Sequence, residues 1–223
     1  DGFLKSFDSL PFGPDPAKGV FNKNVYLHPT LKIHWTLPAG WNYANEATVA
    51  GAANKESQIL VTIAGKEQQI DTLINNFVNG YYARTRKQPM SDGKLKLRDR
   101  TASEIILPAQ QTNKILYTVW FRKDKMTYAI LATGDQSQTE IFRQCTLTFR
   151  DLDESDFKDI FSKELTILNA SADETPAQLT ARTGNAVTAK FTAIMNGITE
   201  EGKFQKDQTL KAVRNKPYAP PVK

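Results

Sequence analysis

One cysteine and two histidines in 223 residues leave little of the side-chain chemistry that thiol and metal sites use. The single Cys145 excludes an intramolecular disulfide, and His28 and His34 alone would confine any zinc site largely to carboxylates. No apolar run reaches the roughly 18 residues that cross a bilayer. The opening Asp1-Gly2-Phe3-Leu4 has neither the basic nor the apolar region of an export signal. No glycine-rich phosphate loop occurs, and neither histidine has a His or Glu at the spacing a helical metal motif requires. What is present is a folding composition: 40% hydrophobic and 24% charged residues, enough for one large or two modest domains, each with its own core.

The net charge of +5 is unevenly placed. Residues 151–223 carry 10 basic and 11 acidic groups, so the excess lies before Asp151. It concentrates in Arg84, Arg86, Lys87, Lys94, Lys96, Arg98 and Arg100, offset by Asp92 and Asp99. Tyr81 and Tyr82 lie beside this run, but no nucleic-acid motif accompanies it. A solvated face is expected rather than a nucleic-acid interface.

Residues 1–24 mix breakers with Phe3, Leu4, Phe7, Leu10 and Phe12 and read as a lead-in tied onto a neighbour. Leu31, Ile33, Trp35 and Leu37 alternate with polar residues, as do Ile59, Val61 and Ile63, predicting half-buried strands. Ile70, Leu73, Ile74, Phe77, Val78 and Tyr81 form one helical stripe. A turn at Asp92-Gly93 and a polar-faced strand follow, then strands over 104–107, 115–121 and 126–132, the last two a hairpin. A second helix spans 138–148, with Ile141, Phe142 and Cys145 on one side. Strands followed by helix, then strands and helix again, predict an α+β domain over 25–150, helices packed on an antiparallel sheet. Its pattern resembles the PsbP-type fold.

After an acidic connector over 151–160, the pattern becomes strand, helix, helix, strand over 161–214. Asp173-Glu174-Thr175-Pro176 supplies a cap and a first-turn proline, and Gly184-Asn185 a stop. Asn196-Gly197 ends the second helix. The tail, 215–223, has three prolines and is expected to be extended or flexible.

This last region resembles a LysM module, a small βααβ unit that binds N-acetylglucosamine-containing glycans. Ala172-Asp173-Glu174-Thr175 stands where the family has Gly-Asp-Thr, and Leu179 to Gly184 resembles the first helix and its stop. Phe191-Thr192-Ala193-Ile194-Met195-Asn196-Gly197-Ile198 resembles the end of the second helix, and Phe204 to Leu210 the approach to the last strand. Ala172 replaces the turn glycine, and Lys206-Asp207 replaces Pro-Gly. The resemblance implies a glycan or partner groove lined by Asp173, Glu174, Thr175, Asn196, Gly197 and Ile198.

A wider resemblance is carried by Asp1-Gly2-Phe3, Gly13-Pro14-Asp15-Pro16-Ala17-Lys18-Gly19, Tyr26-Leu27-His28-Pro29, Leu37-Pro38-Ala39-Gly40-Trp41 and Leu147-Thr148-Phe149-Arg150. In order, these resemble the region downstream of the catalytic domain in bacterial HtpX-like zinc metallopeptidases. That catalytic domain is marked by His-Glu-x-x-His, absent here. The resemblance implies a non-catalytic accessory region of the periplasm or cell envelope, excised or encoded alone. It places zinc only in an upstream domain and no cofactor in this chain. The partners it implies are the upstream peptidase domain, another protein, or peptidoglycan. A stand-alone glycan-binding envelope protein and a purely structural module are the alternatives.

Among the remaining residues, His34 falls on the polar face of its strand, His28 precedes a proline, and Cys145 sits on an apolar stripe, all expected to be structural. Asp153, Glu154 and Asp156 read as a solvated linker. Trp35 belongs to the inward stripe. Trp120 falls on the face opposite Ile115, Tyr117, Val119 and Phe121 and is the candidate for an exposed interaction patch.

Overall fold

The protein is described from a computed structural model covering residues 2–66, 69–110 and 113–219. In chain order, a short helix α1 (Gly2–Lys5) precedes strands β1 (Val20–Asn22), β2 (Val25–His28), β3 (Ile33–Thr36), β4 (Asn42–Asn45), β5 (Val49–Ala53) and β6 (Gln58–Lys66). Helix α2 (Ile70–Thr85) leads to β7 (Ser91–Lys96), β8 (Thr101–Pro108), β9 (Lys114–Lys123) and β10 (Met126–Asp135). Then come α3 (Thr139–Leu147), β11 (Arg150–Asp151), a 3-10 turn at Glu154–Asp159, β12 (Phe161–Asn169), α4 (Pro176–Thr183), α5 (Ala189–Met195) and β13 (Thr209–Pro217).

These elements form two compact units, one of Gly19–Asp153, the other of the N-terminal residues through Lys18 together with Glu154 onward. The segment read as a lead-in over 1–24 is therefore divided. Its first part belongs with the C-terminal unit, and Gly19 onward supplies β1 of the larger one.

The larger unit is α+β with antiparallel sheets. Its centre is the hairpin of β9 and β10, paired from Met126↔Lys123 to Asp135↔Lys114. Asp124, with φ 54°, takes the left-handed turn position that Asp tolerates. Around it the seven-stranded order is β4-β5-β6-β10-β9-β8-β7, and a smaller sheet runs β1-β2-β3-β11.

Period-two alternation gives the large sheet two apolar faces. Tyr117, Val119, Phe121 and Ile130 pack with Ile59 and Val61, with Tyr26, Ile33 and Trp35 of the small sheet, and with Phe142, Cys145 and Phe149 of α3 and its exit. The Trp35 indole N–H donates to the Cys145 carbonyl at 3.0 Å, satisfying the one polar atom of a fully buried ring. On the opposite face, Ile105, Leu107, Trp120 and Ala129 lie under the stripe of α2 formed by Ile70, Leu73, Ile74, Phe77, Val78 and Tyr81. α2 runs past the expected Tyr81 and ends at Arg86 in a left-handed C-cap.

The C-terminal unit has the expected strand, helix, helix, strand order. Thr175 caps α4 in a full capping box with Gln178, Pro176 occupies the first turn, and Gly184 at φ 62° closes it. Its strands run longer than expected: β13 continues to Pro217, so 215–217 are ladder rather than flexible tail. The Tyr218 amide donates to the Ile160 carbonyl at 3.0 Å and its ring stacks on Phe157, while 220–223 lie outside the described residues. The acidic connector is also structured, with Asp151 paired to Ile33 and Glu154–Asp159 in a 3-10 turn.

Candidate functional site

A two-stranded ladder has two open edges, and in the C-terminal unit both are covered. β12 and β13 pair from Phe161↔Pro217 to Asn169↔Thr209. Along the outer side of β12, the Ser9 and Phe12 amides donate to the Leu165 and Lys163 carbonyls at 2.9 and 2.8 Å. The Leu165 amide donates to Leu10 at 2.8 Å, and the Asp8 carboxylate accepts the Ile167 amide at 2.9 Å. The N-terminal segment thus covers this edge, with Pro11 and Glu164 forming an isolated bridge.

Along the outer side of β13, two asparagine side chains do the work of a strand. Asn196 accepts the Lys211 amide through Oδ1 at 2.8 Å, and its Nδ2 donates to the Lys211 carbonyl at 2.9 Å. Asn185 Oδ1 accepts the Val213 amide at 2.9 Å, and the Ala186 amide donates to the Val213 carbonyl at 2.7 Å. Buried Thr192 ties the helices together, donating to the Thr188 carbonyl at 2.9 Å and accepting from Asn185 Nδ2 at 2.8 Å.

The six residues expected to line a groove fall into two groups. Glu174, 5% exposed, is held by Arg182 through both carboxylate oxygens, at 2.7 and 2.9 Å, and also accepts the Ser171 amide at 3.0 Å. These bonds hold its carboxyl below the usual glutamate range, the Arg182 hydrogen bond contributing most. Thr175 is spent on capping α4 and Asn196 on the edge of β13. Ile198 packs on Ala170, Leu179, Phe204 and Leu210. That leaves exposed Asp173 at φ 56° and exposed Gly197 at φ 72°. The first turn also meets the approach to β13: the Phe204 amide donates to the Glu174 carbonyl at 2.9 Å, and the Ala170 amide to Gln208 at 2.9 Å. The result is a set of turns in which Glu174, Thr175, Asn196 and Ile198 are committed to the unit's own structure, with Asp173 and Gly197 exposed.

Trp120 is not an exposed patch. Period-two reading assigns it the correct sheet face, but α2 covers that face. The indole is 5% exposed, 5.2 Å from the Phe77 ring, and donates to Thr118 Oγ1 at 3.1 Å.

His28 and His34 sit on paired strands with Leu27 opposite His34, so alternation turns the two rings to opposite faces of the small sheet. His28 Nδ1 accepts the Leu31 amide at 3.2 Å, and burial lowers its pKa. His34 Nδ1 lies 2.8 Å from the Arg150 guanidinium, which can only donate, so that nitrogen is an acceptor. Burial pushes the Cys145 thiol up to about 12, which keeps it protonated at neutral pH. Among the described residues, no group of three or more His, Cys, Asp or Glu is gathered around a metal-sized space. Among the described residues, no helix is long and apolar enough to cross a membrane.

No protein-family model matches this sequence, and no curated protein matches it. Among solved structures, the chain is similar to the solution structure of cyanobacterial PsbP (CyanoP) from Synechocystis sp. PCC 6803, at 8% identity and a TM-score of 0.46. The match covers 63% of this chain and 98% of that one.

Proposed function

We propose that this chain is a non-catalytic binding region of the bacterial cell envelope whose C-terminal unit is LysM-like and engages an N-acetylglucosamine-type glycan. It acts beside a zinc-dependent peptidase of the HtpX-like kind. The peptidase association rests on the ordered motifs from Asp1-Gly2-Phe3 to Leu147-Thr148-Phe149-Arg150. The observation that carries the binding half is the inward commitment of Glu174, Thr175 and Asn196. It leaves two preorganised turns, exposed at Asp173 and Gly197, whose neighbouring amides are bonded within the unit. Such a surface suits a neutral, hydroxyl- and amide-rich ligand better than a charged one, and its rigidity lowers the ordering cost of binding.

The test is a titration of the intact chain with N-acetylglucosamine oligomers and with peptidoglycan fragments, followed by amide shifts. Saturable shifts within 171–175 and 196–199 are expected. Absence of saturable binding, or shifts confined to the Gly19–Asp153 unit, would overturn the glycan reading. The peptidase association is tested by mass spectrometry of the native protein from cell fractions. A species containing His-Glu-x-x-His together with this sequence is expected, and a native chain consisting of this sequence alone removes that half.

A further inference from the structure

The large sheet ends differently on its two sides. At the β4 edge, Asn45 Nδ2 donates to the Gly19 carbonyl at 2.8 Å, its Oδ1 accepts from Tyr26 Oη at 3.0 Å, and Tyr43 stacks on Phe21. That edge strand is tied to β1 and β2 of its own unit through side chains. At the other end, among the described residues, β7 has β8 as its one neighbour in the sheet, paired from Ser91↔Ile106 to Lys96↔Thr101. The Leu97 amide donates to the Arg100 carbonyl at 2.9 Å just past this ladder. Antiparallel alternation then turns the main-chain groups of Leu95, Gly93 and Ser91 toward β8 and those of Asp92, Lys94 and Lys96 outward. β7 thus presents a run of outward N–H and C=O groups, with no proline in it.

Side chains alternate as well. Asp92, Lys94 and Lys96 are exposed on one face, Lys94 donating to Ser103 Oγ at 2.9 Å. On the other face Leu95 packs partly into the core, and a side chain built on Gly93 would meet open space. Exposed Arg84, Arg86 and Arg98 lie in the flanking segments, and Asp99 is already held by Arg100 at 2.5 Å.

We propose that the β7 edge is a docking site for an acidic, extended segment of a partner protein, added as an eighth strand. Main-chain bonds to Lys94 and Lys96 supply the pairing. Carboxylates opposite those lysines on one face, and an apolar residue beside Leu95 and Gly93 on the other, supply the selection.

The experiment uses the full chain and a fluorescein-labelled peptide of alternating Glu and Val, read by anisotropy at low salt and by amide hydrogen exchange. Saturable binding is expected, with the Lys94 and Lys96 amides becoming protected. Lys94→Glu with Lys96→Glu should weaken it roughly tenfold and favour a peptide of alternating Lys and Val. Lys94→Pro removes an outward N–H and the exposed Lys94 side-chain bond to Ser103 but no main-chain bond to β8, and should abolish binding of either peptide. Should that variant fail to fold, the charge reversal and the amide protection decide the matter. No binding, binding without amide protection, binding indifferent to Lys94→Pro in a folded variant, or displacement of the peptide by an equal charge of single-stranded oligonucleotide would each overturn the proposal.

Discussion

The Gly19–Asp153 unit and the C-terminal unit solve the same problem, a sheet that must hide its apolar face and its edges, with opposite emphasis. In the first, a seven-stranded sheet buries both faces, under α2 on one side and under the small sheet and α3 on the other. Among the described residues, no strand pairs with its polar edge at β7. In the second, a two-stranded ladder has a small core of Ala170, Leu179, Phe204 and Leu210. It compensates by closing both edges, with residues 8–12 on β12 and with Asn185 and Asn196 on β13. A unit rich in buried area can leave hydrogen-bonding groups available for a partner. A unit poor in it needs those groups for its own stability.

The largest expected effect tests the first half of that contrast. Phe121 is fully buried, its ring 4.7 Å from Phe149 and stacked at 5.8 Å on Tyr128. Phe121→Ala should destabilise the large unit by about 3–5 kcal/mol, through lost transfer energy and the cavity left behind. Denaturant unfolding followed by reagent labelling of Cys145 reads this directly, because the buried thiol reacts when the unit opens. A loss below about 1 kcal/mol would mean that packing on this face is loose and that the contrast is wrong.

A smaller effect tests the second half. Asn196→Ala deletes both bonds to Lys211 and leaves a partly buried amide and carbonyl without them. The expected cost is about 1–3 kcal/mol, with faster hydrogen exchange of the Lys211 amide. Unchanged exchange would show that β13 does not depend on its asparagine edge.

How legible this was in the sequence depends on whether the signal was periodic. The β9–β10 hairpin and α2 announce themselves because Ile115 to Phe121 alternate and Ile70 to Tyr81 recur at helical spacing. β5 does not. Val-Ala-Gly-Ala-Ala carries almost no hydrophobic contrast, and it is small-residued for a tertiary reason: a Cβ on Gly51 would collide with the backbone of Ile59 and Leu60. The edge-covering role of residues 8–12 is equally silent, since main-chain bonds leave no side-chain pattern. Alternation assigns Trp120 its face, but which element covers that face is a packing fact no local pattern holds. Within the candidate groove, Thr175 shows as a cap and Asn196 as a helix stop. Their side-chain targets differ in reach: Gln178 is local and readable, whereas Lys211 belongs to a strand fifteen residues on.

The smallest effect concerns Glu174 and acid. Its carboxyl is held low in the folded unit by Arg182 and the Ser171 amide, so at a given acidic pH the unfolded chain binds the proton more readily. Stability from this pair is therefore fully present above the ordinary glutamate range and declines as pH falls through it toward the depressed folded value. Glu174→Gln should remove that dependence. It keeps one hydrogen-bond acceptor for Arg182 and turns the other oxygen into a donor, so the variant should be less stable at neutral pH and converge on the parent in acid. The check is hydrogen exchange of the Phe204 amide, which donates to the Glu174 carbonyl, across an acid series after correction for intrinsic exchange. A gap between variant and parent that does not narrow in acid would show that the loop from Ser171 to Thr175 is held by packing on Phe204 rather than by the ion pair, and the turns that define the candidate groove would then owe their rigidity to area, as the larger unit does.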